Sequence, residues 1–151
     1  MKPDVFLKVI RDAGIHEISG PLRAAERSRW KHRHPGIKLP NEYLGLLKKA
    51  NGLRFSLDPK STIGAAGRLL PLREIRSATE LLYQDQEDED QALPEAWLGL
   101  TDDAQGEQFL ILDVRKRLYL GVDPEDPDEP ERLGAELEVA LDWLYARYVS
   151  G

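Results

Sequence analysis

The sequence predicts an α+β fold in a single domain spanning residues 1–151, with N-terminal helices, an antiparallel β meander and a C-terminal helix packed on the sheet. Three observations support this prediction. Apolar residues recur at helical spacing in the first third of the chain and again at its end. Short apolar runs separated by turn residues occupy the middle, as in a meander of strands. No internal repeat or flexible linker divides the chain, and 151 residues are enough to bury one core.

The first two helices are predicted over Pro3–Ala13 and Pro21–His34. One side of the first helix holds Val5, Phe6, Val9 and Ile10. Gly14 ends this helix, and the Pro35-Gly36 turn ends the second. The second helix has a thin apolar stripe of Leu22, Ala25 and Trp30. Its other residues are largely basic: Arg23, Arg27, Arg29, Lys31 and Arg33.

The third helix carries its own start and stop signals. Pro40 suits a first helical position, where its missing N–H costs nothing. One apolar face contains Tyr43, Leu46, Leu47 and Ala50. Lys48 and Lys49 lie in the last turn, where cations favour the negative end of the helix dipole. Asn51-Gly52 then predicts a left-handed stop.

The pattern changes to short strands after Gly52. Leu53–Leu57 alternates between apolar and polar residues and is closed by Asp58-Pro59. A loop is predicted over Gly64–Gly67, followed by a strand within Arg68–Ile75 that Pro71 would push towards a sheet edge. Ser77–Gln84 is a short helix with Ser77 as N-cap and Glu80 completing a capping box.

The C-terminal half contains the predicted centre of the sheet. Ala96–Leu98 is a strand, and Asp102–Gly106 is a turn. Gln108–Leu112 and Leu118–Val122 are nearly continuous apolar runs, which is typical of central strands covered on both faces. A last helix starts at Glu136, and its apolar stripe consists of Leu137, Ala140, Leu141, Leu144, Tyr145 and Tyr148, with Trp143 near its edge.

The amino-acid composition excludes several classes of function. The chain has no cysteine, which excludes disulfides, thiol nucleophiles and thiolate metal sites. No signal peptide or membrane span is apparent, so we expect a cytoplasmic protein. Residues 1–75 carry 15 Lys/Arg and 7 Asp/Glu, whereas residues 76–151 carry 6 and 20, and the net charge is −6. An acidic surface argues against nucleic acid as the main ligand and suits a basic protein partner.

No catalytic or cofactor motif stands out. The spacing of His16, His32 and His34 favours solvent-exposed histidines over a zinc site. Asp102 and Asp103 precede a glycine, as turn-forming acids commonly do, although paired acids can also serve acid–base chemistry. The chain lacks nucleophile-elbow, zinc-protease, phosphate-loop and dinucleotide motifs. The basic second helix is more simply explained as a solvated face than as a nucleic-acid contact. We therefore predict a non-enzymatic protein without cofactor or metal.

Two acidic segments are the best candidates for a charged binding surface. They are solvated loops on composition alone, and weak calcium binding by the second is unsupported because it lacks the glycine and spacing of an EF-hand. The candidate partner-binding residues are Asp85, Glu87, Asp88, Glu89 and Asp90 in the first segment, Asp102 and Asp103 in the turn, and Asp123, Glu125, Asp126, Asp128, Glu129 and Glu131 in the second.

Several motifs in a fixed order resemble the SUKH superfamily of immunity proteins and cell-wall-assembly regulators. They are Leu39-Pro40 and Tyr43, then Asn51-Gly52, Trp97, Asp102, Asp103 and Gly106, and the helix with Trp143 and Leu144. Each motif is weak alone, and the order and spacing carry the resemblance from Leu39 to Tyr148. Residues 1–36 are not covered, and the acidic insert over 123–131 departs from the family pattern.

The resemblance implies a binding protein rather than an enzyme. Bacterial members are mostly immunity proteins that block a cognate toxin, frequently a nuclease, by occluding its substrate-binding groove. An acidic surface could replace the phosphates of the substrate, and the acids named above would form it. The alternative is a regulatory scaffold resembling the fungal cell-wall-assembly regulators, which bind host signalling proteins.

Overall fold

Helices at both ends of the chain enclose two antiparallel sheets in a computed structural model that describes residues 1–56, 65–83 and 92–150. The helices in these ranges are α1 (Pro3–Ala13), α2 (Ala24–Arg33), α3 (Asn41–Lys49), α4 (Ala78–Tyr83) and α5 (Leu137–Tyr148). The strands are β1 (Glu17–Ile18), β2 (Leu53–Ser56), β3 (Ala65–Leu69), β4 (Arg76–Ser77), β5 (Trp97–Gly99), β6 (Thr101–Asp103), β7 (Phe109–Asp113), β8 (Leu118–Val122) and β9 (Glu131–Gly134). A 3-10 turn covers Leu72–Glu74. The predicted α+β class is confirmed.

The first sheet has the strand order β1-β2-β3-β6, and the second has the order β4-β5-β7-β8-β9. The chain passes from the second sheet to the first at Leu100, between β5 and β6. The Leu100 N–H donates to the Leu110 carbonyl at 2.9 Å, and its own carbonyl accepts from the Leu70 N–H at 2.9 Å. Hydrogen bonds therefore continue from one sheet into the other.

One hydrophobic cluster draws side chains from α1, α2, α3, α5 and both sheets. Every residue of β7 is buried, and β8 is buried from Tyr119 to Val122. The prediction that these two strands lie at the centre of a sheet and are covered on both faces is confirmed. Each such buried aliphatic side chain contributes roughly 1.5–3 kcal/mol to folding.

The C-terminal helix packs on the second sheet, in contact with β8, β9 and α1. The backbone N–H of Leu137, the first residue of α5, has its hydrogen-bond acceptor on α3. It donates to Glu42 Oε1 at 2.9 Å. The same oxygen accepts from the Tyr119 hydroxyl at 3.4 Å. Glu42 thus joins α3, β8 and the start of α5.

The first two helices differ from prediction in their faces and bounds. α1 ends at the predicted Gly14, which has φ 72°, but its buried residues are Phe6, Leu7 and Ile10, and Val5 is 50% exposed. α2 begins at Ala24 rather than Pro21. The Leu22 N–H donates instead to the Leu47 carbonyl at 3.0 Å, which holds the preceding segment extended along the end of α3.

The end of α3 also differs from prediction. The helix ends at Lys49, and Ala50 is extended, with φ −151°. Gly52 has the expected positive φ of 109°, but Asn51 does not, so Asn51-Gly52 is not a left-handed helix cap. The Asn51 N–H donates to the Gly20 carbonyl at 2.9 Å, and this tertiary bond replaces the local stop.

The loop predicted over Gly64–Gly67 is wrong for residues 65–67, and the strand predicted within Arg68–Ile75 includes only Arg68 and Leu69 of that range. Ala65–Leu69 forms β3, between β2 and β6 rather than at an edge, and the 3-10 turn follows it. A Cβ on Gly67 would come within 2.8 Å of the Tyr148 ring, so the small residue there permits α5 to pack closely on the strand. Leu57, Asp58, Pro59, Gly64 and Gln84 lie outside the described residues.

The remaining predicted elements agree with the structure apart from their end residues, whereas the strands β1, β4 and β9 were not predicted. The Ser77 hydroxyl accepts from the Glu80 N–H at 3.2 Å and caps α4 as expected. The predicted turn over Asp102–Gly106 starts later, because Asp102 and Asp103 belong to β6 and the turn follows them.

Candidate partner-binding surface

The acidic segment over residues 123–130 is the connection between the antiparallel strands β8 and β9. Backbone hydrogen bonds order it as two successive turns, from the Asp126 N–H to the Asp123 carbonyl at 3.0 Å and from the Glu129 N–H to the Asp126 carbonyl at 3.3 Å. The Asp123 carboxylate also accepts from the Glu125 N–H at 2.9 Å. The prolines and acids that exclude regular structure here therefore build tight turns.

Tyr83, the last residue of α4, anchors this connection. Its hydroxyl donates to the Pro124 carbonyl at 2.8 Å. Burial, together with the negative charges of Asp123 and Asp128, raises the pKa of Tyr83, so the hydroxyl stays protonated and remains a donor at neutral pH. α4 consequently holds the acidic connection against the second sheet.

The acids of this connection point to solvent. Glu125, Asp126, Asp128, Glu129 and, at the start of β9, Glu131 are exposed, and Asp123 is half-buried. Within the described part of the chain, the side chains of Glu125, Asp126, Asp128 and Glu129 form no hydrogen bond or ion pair. We call the segment over residues 123–131 the acidic loop. Within the described ranges, these four carboxylates are available to cations from outside the chain.

The other acidic run, Asp85, Glu87, Asp88, Glu89 and Asp90, lies outside the described residues. The described residues on either side of this run include Tyr83, which belongs to α4, and Leu93, which contacts α4. Tyr83 contacts the acidic loop, and on the other side the Leu93 N–H donates to the Thr79 hydroxyl at 3.0 Å.

The neighbours Asp102 and Asp103 face opposite sides of the first sheet. Asp102 is half-exposed and lies in a row of cross-strand partners with Glu17, Arg54 and Arg68. Asp103 lies on the inner face, in register with Gly67, and its side chain is 3% exposed. Of the two acids, only Asp102 is accessible to a partner.

Asp103 is occupied by contacts within the chain. Its carboxylate accepts from the Tyr148 hydroxyl at 2.7 Å, the Arg147 guanidinium at 3.1 Å and the Glu107 N–H at 2.9 Å. Burial by itself would raise the pKa of Asp103, but the hydrogen bonds from Tyr148 and Glu107 and the charge of Arg147 outweigh it and hold the pKa below the usual value. Asp103 thus fastens the end of α5 to the first sheet, and it also forms the turn that the sequence suggested.

A charged groove of about 400 Å³ follows the outer face of the first sheet, and sequence reasoning missed it. Arg68 lines it and donates to Glu74 at 3.0 Å and to Asp102 at 3.5 Å. The hydrogen bond to Glu74 is the main reason that the pKa of Arg68 is raised. Arg54 also lines the groove, has no ion-pair partner among the described residues and faces Arg68 in register. Strand alternation could have placed Arg54 outside, but not opposite Arg68.

The histidines are less exposed than the sequence suggested. His16 and His34 are half-buried, and only His32 of the three is exposed. His16 Nδ1 accepts from the Ser56 N–H at 3.0 Å, and His34 stacks on Trp30 with 4.6 Å between ring centroids. Among the described residues, no group of three or more His, Asp or Glu is arranged to hold a metal ion. In the same ranges no helix has the length and apolar character needed to cross a membrane.

The fold and surface define an α+β protein whose charged loops and grooves suit the binding of other macromolecules. The family model SMI1 / KNR4 (SUKH-1) matches residues 24–145, and the chain belongs to this family. The match begins at the first residue of α2 and so includes a helix that the sequence resemblance left out. Comparison with curated protein sequences found no match.

Family membership supports an immunity or cell-wall-assembly-regulator role, exercised through protein–protein interaction, and members are generally not enzymes. Several residues of the motifs that resemble the SUKH superfamily are buried in this structure. Tyr43 is 1% exposed, Asn51 is buried, and the buried Trp97 donates from its indole to Asp113 at 3.3 Å.

Proposed function

We propose that this protein is a bacterial immunity protein that binds a cognate protein toxin, a nuclease, and neutralises it by occlusion. The observation that carries the proposal is the acidic loop, whose exposed carboxylates have no cationic partner in the described chain. Membership of the SUKH-1 family is consistent with it.

The proposed mechanism is electrostatic substitution. A nuclease binds phosphates in a groove lined with Lys and Arg, and these cations would accept the carboxylates of the acidic loop instead. Charge-assisted hydrogen bonds of this kind are about twice as strong as neutral ones. The net charge of −14 on residues 76–151 would also speed encounter with a basic partner.

Tyr83 supports this siting because it limits the conformational freedom of the loop before binding. Its hydrogen bond to the Pro124 carbonyl fixes the base of the loop on α4. A loop ordered before binding loses less entropy in the complex. The acids over residues 85–90, which follow Tyr83 in the sequence, are proposed to bind the same toxin.

The first experiment is capture of partners from native lysate, with mass spectrometry, at low and high salt. A single basic nuclease that is released by salt supports the proposal. The captured nuclease is then titrated with the protein to measure inhibition, using Asp126→Asn/Asp128→Asn to test the loop. The double variant Asp12→Asn/Glu136→Gln is the matched control, because it also removes two exposed negative charges but lies on α1 and at the start of α5.

We expect the loop variant to inhibit more weakly and the control to inhibit like the parent protein. Equal inhibition by both variants would show that the acidic loop is not the binding site. If the protein does not inhibit the captured nuclease in an activity assay, the proposal that it is an immunity protein is refuted.

The second candidate is a regulatory scaffold of the cell-wall-assembly-regulator kind, which the SMI1 / KNR4 family match also favours. Recovery of several endogenous regulatory proteins, or no nuclease, would support it. A toxin gene adjacent to the gene for this protein would favour immunity, and its absence would favour the scaffold.

A further inference from the structure

A pocket of about 370 Å³ lies between α2 and the start of α3, away from the acidic loop in sequence. Its apolar lining consists of the half-buried Ile37 and the buried Leu39, Leu44 and Leu72. This volume is at the small end of the range of about 300–1,000 Å³ that ligand pockets occupy. It is large enough to accept one or two side chains.

The polar rim of the pocket is basic. Arg27, Lys31, Lys38 and His34 line it, and no described acidic residue does. Arg27 Nε is buried and has no hydrogen-bond partner within the described chain. Buried donors without partners are rare in folded proteins because they cost about 1–3 kcal/mol. Because this atom is closed to solvent, a ligand would meet the other cationic groups of the rim.

A second depression, of about 450 Å³, adjoins the first across Arg27 and Lys31, which line both. Arg23 and Lys48 add two more cations to it, and again no described acidic residue lines it. We call the two depressions together the basic groove. In a protein with a net charge of −6, it is a continuous cationic surface along α2.

We propose that the basic groove docks an acidic segment of a partner protein in which an apolar side chain is flanked by carboxylates. The apolar side chain would enter the pocket against Leu44 and Ile37, and the carboxylates would bind Arg27, Lys31 and Lys38. Arg suits carboxylates in particular because its planar donors bind them in pairs. The proposal does not depend on the toxin or on the acidic loop.

The chemistry of the pocket favours a peptide over a nucleic acid. Single-stranded nucleic acids are held by exposed aromatic rings on which bases stack. Trp30 lines the pocket, but it is 2% exposed, stacks with His34 and uses its indole N–H on the Ile75 carbonyl at 2.9 Å. An apolar wall with a cationic rim instead matches an amphipathic acidic segment.

The test uses fluorescence polarisation of short labelled peptides in which one Leu, Phe or Trp is flanked by Glu. Matched peptides replace the flanking Glu with Lys, or the apolar residue with Ser. We expect saturable binding of the acidic apolar peptides only. Absence of binding by every acidic apolar peptide, or equal binding of the Ser peptides, would overturn the proposal.

Charge reversals on the protein locate the site. Lys31→Glu/Lys38→Glu alters two cations that line the groove, and Arg29→Glu/Arg33→Glu alters two exposed cations on α2 that do not. The first variant should bind at least about tenfold more weakly, as expected when charge-assisted contacts are lost. The second should bind like the parent protein. Equal weakening by both would mean that general charge attraction, not the groove, holds the peptide.

Two further arms distinguish other occupants. Labelled single-stranded and double-stranded DNA and RNA should bind more weakly than the best peptide, and tighter binding would overturn the assignment in favour of nucleic acid. Light scattering should show that the protein does not self-associate through the basic groove. Self-association that the Lys31→Glu/Lys38→Glu variant abolishes would be the contrary result. Such association would identify a second copy of this chain, through its own acids, as the occupant. These results do not bear on nuclease inhibition, so each proposal can fail alone.

Discussion

Asn51 shows how one buried amide can join three parts of a fold. Its Oδ1 accepts from the Leu72 N–H at 2.8 Å, and its side-chain amide donates to Glu26 on α2. Its backbone N–H donates to the Gly20 carbonyl. Because Asn supplies a donor and an acceptor in one short side chain, no apolar or purely acidic residue can replace it here.

We expect Asn51→Ala to lower the free energy of unfolding by about 1–3 kcal/mol, since it leaves the Leu72 N–H buried without an acceptor. Asn51→Asp should also destabilise, because it places a carboxylate against Glu26 and removes the donor. Urea unfolding followed by circular dichroism measures both. Asn41→Ala, at an exposed position, serves as control, and a similar loss there would contradict the role assigned to Asn51.

His16 makes stability depend on pH. Burial lowers the pKa of His16 below 6.5, and its Nδ1 accepts from Ser56 only while the ring is neutral. Between the lowered folded value and the unfolded value, the unfolded state binds more protons. Stability is therefore fully present above the unfolded pKa and falls as pH decreases through this window.

His16→Asn keeps an acceptor for Ser56 but cannot titrate, so we expect a smaller loss of stability on acidification from about pH 7.5 to about pH 5. Unfolding by urea at a series of pH values measures this. His34, whose pKa is also lowered by burial and by Arg33, will leave part of the dependence. His32→Asn is the exposed control, and the same reduction in that variant would argue against His16.

At the scale of elements, the end of α5 and the first sheet are joined by close packing and partly buried hydrogen bonds. The Tyr148 ring stacks on Phe55, with 4.9 Å between centroids and 9° between planes, and lies against Gly67. Its hydroxyl donates to Asp103. α5 can therefore approach the first sheet closely at Gly67 of β3, because this residue has no side chain.

Gly67→Ala should destabilise the protein by about 1–3 kcal/mol, because the new methyl group overlaps the Tyr148 ring and must displace it. Gly45→Ala is the opposite case. Gly45 is in the interior of α3 and nothing lies within 4 Å of its missing Cβ, so we expect a gain of about 0.5–1 kcal/mol from helix propensity. Thermal unfolding of both variants measures the contrast, and a loss in Gly45→Ala would contradict the local packing.

Asp103→Asn and Asp102→Asn test the two faces of β6. The first should lower the free energy of unfolding by about 1–3 kcal/mol, because it weakens charge-assisted bonds between the buried Asp103 and its half-buried partners Arg147 and Tyr148. The second removes an ion pair at 3.5 Å between half-exposed groups, which is worth about 0–1 kcal/mol. Because the pKa of Asp103 is lowered, its contribution is present at neutral pH and is lost as pH falls through the folded value. If both variants lose the same free energy of unfolding in denaturant titrations, the different roles assigned to Asp103 and Asp102 are refuted.

At the scale of the molecule, the chain presents two surfaces of opposite charge. The acidic loop carries exposed carboxylates, and the basic groove carries cations with no acidic neighbour lining it in the described chain. Isolated exposed charges contribute little to folding and more to association with charged partners. Separate surfaces would allow two partners of opposite charge to be distinguished.

We therefore expect Asp126→Asn/Asp128→Asn to leave the free energy of unfolding within about 0.5 kcal/mol of the parent value. The carboxylates are exposed and have no partner to lose within the described chain. Urea unfolding measures this independently of any binding assay. A large loss would mean that these acids stabilise the fold and would remove the loop variant as a clean test of binding.

The sequence by itself determined the features that depend on neighbours a few residues away. Pro3 and Gly14 bound α1 as predicted, Ser77 caps α4, and the apolar runs of β7 and β8 lie at the centre of a sheet. The acids and prolines after Val122 predicted a solvated loop. These signals are read locally because backbone propensity, capping and apolar periodicity act within one or two turns.

Only the tertiary structure decided which side chains meet across the sheets and between helices. It made a strand of Ala65–Leu69, turned Asp103 inwards and Asp102 outwards, replaced the left-handed stop at Asn51, and set α2 beside α3 to form the basic groove. The physical reason is that strand register and helix packing depend on partners tens of residues apart. A one-residue difference in strand position exchanges the two faces, and no local pattern in this chain specifies that position.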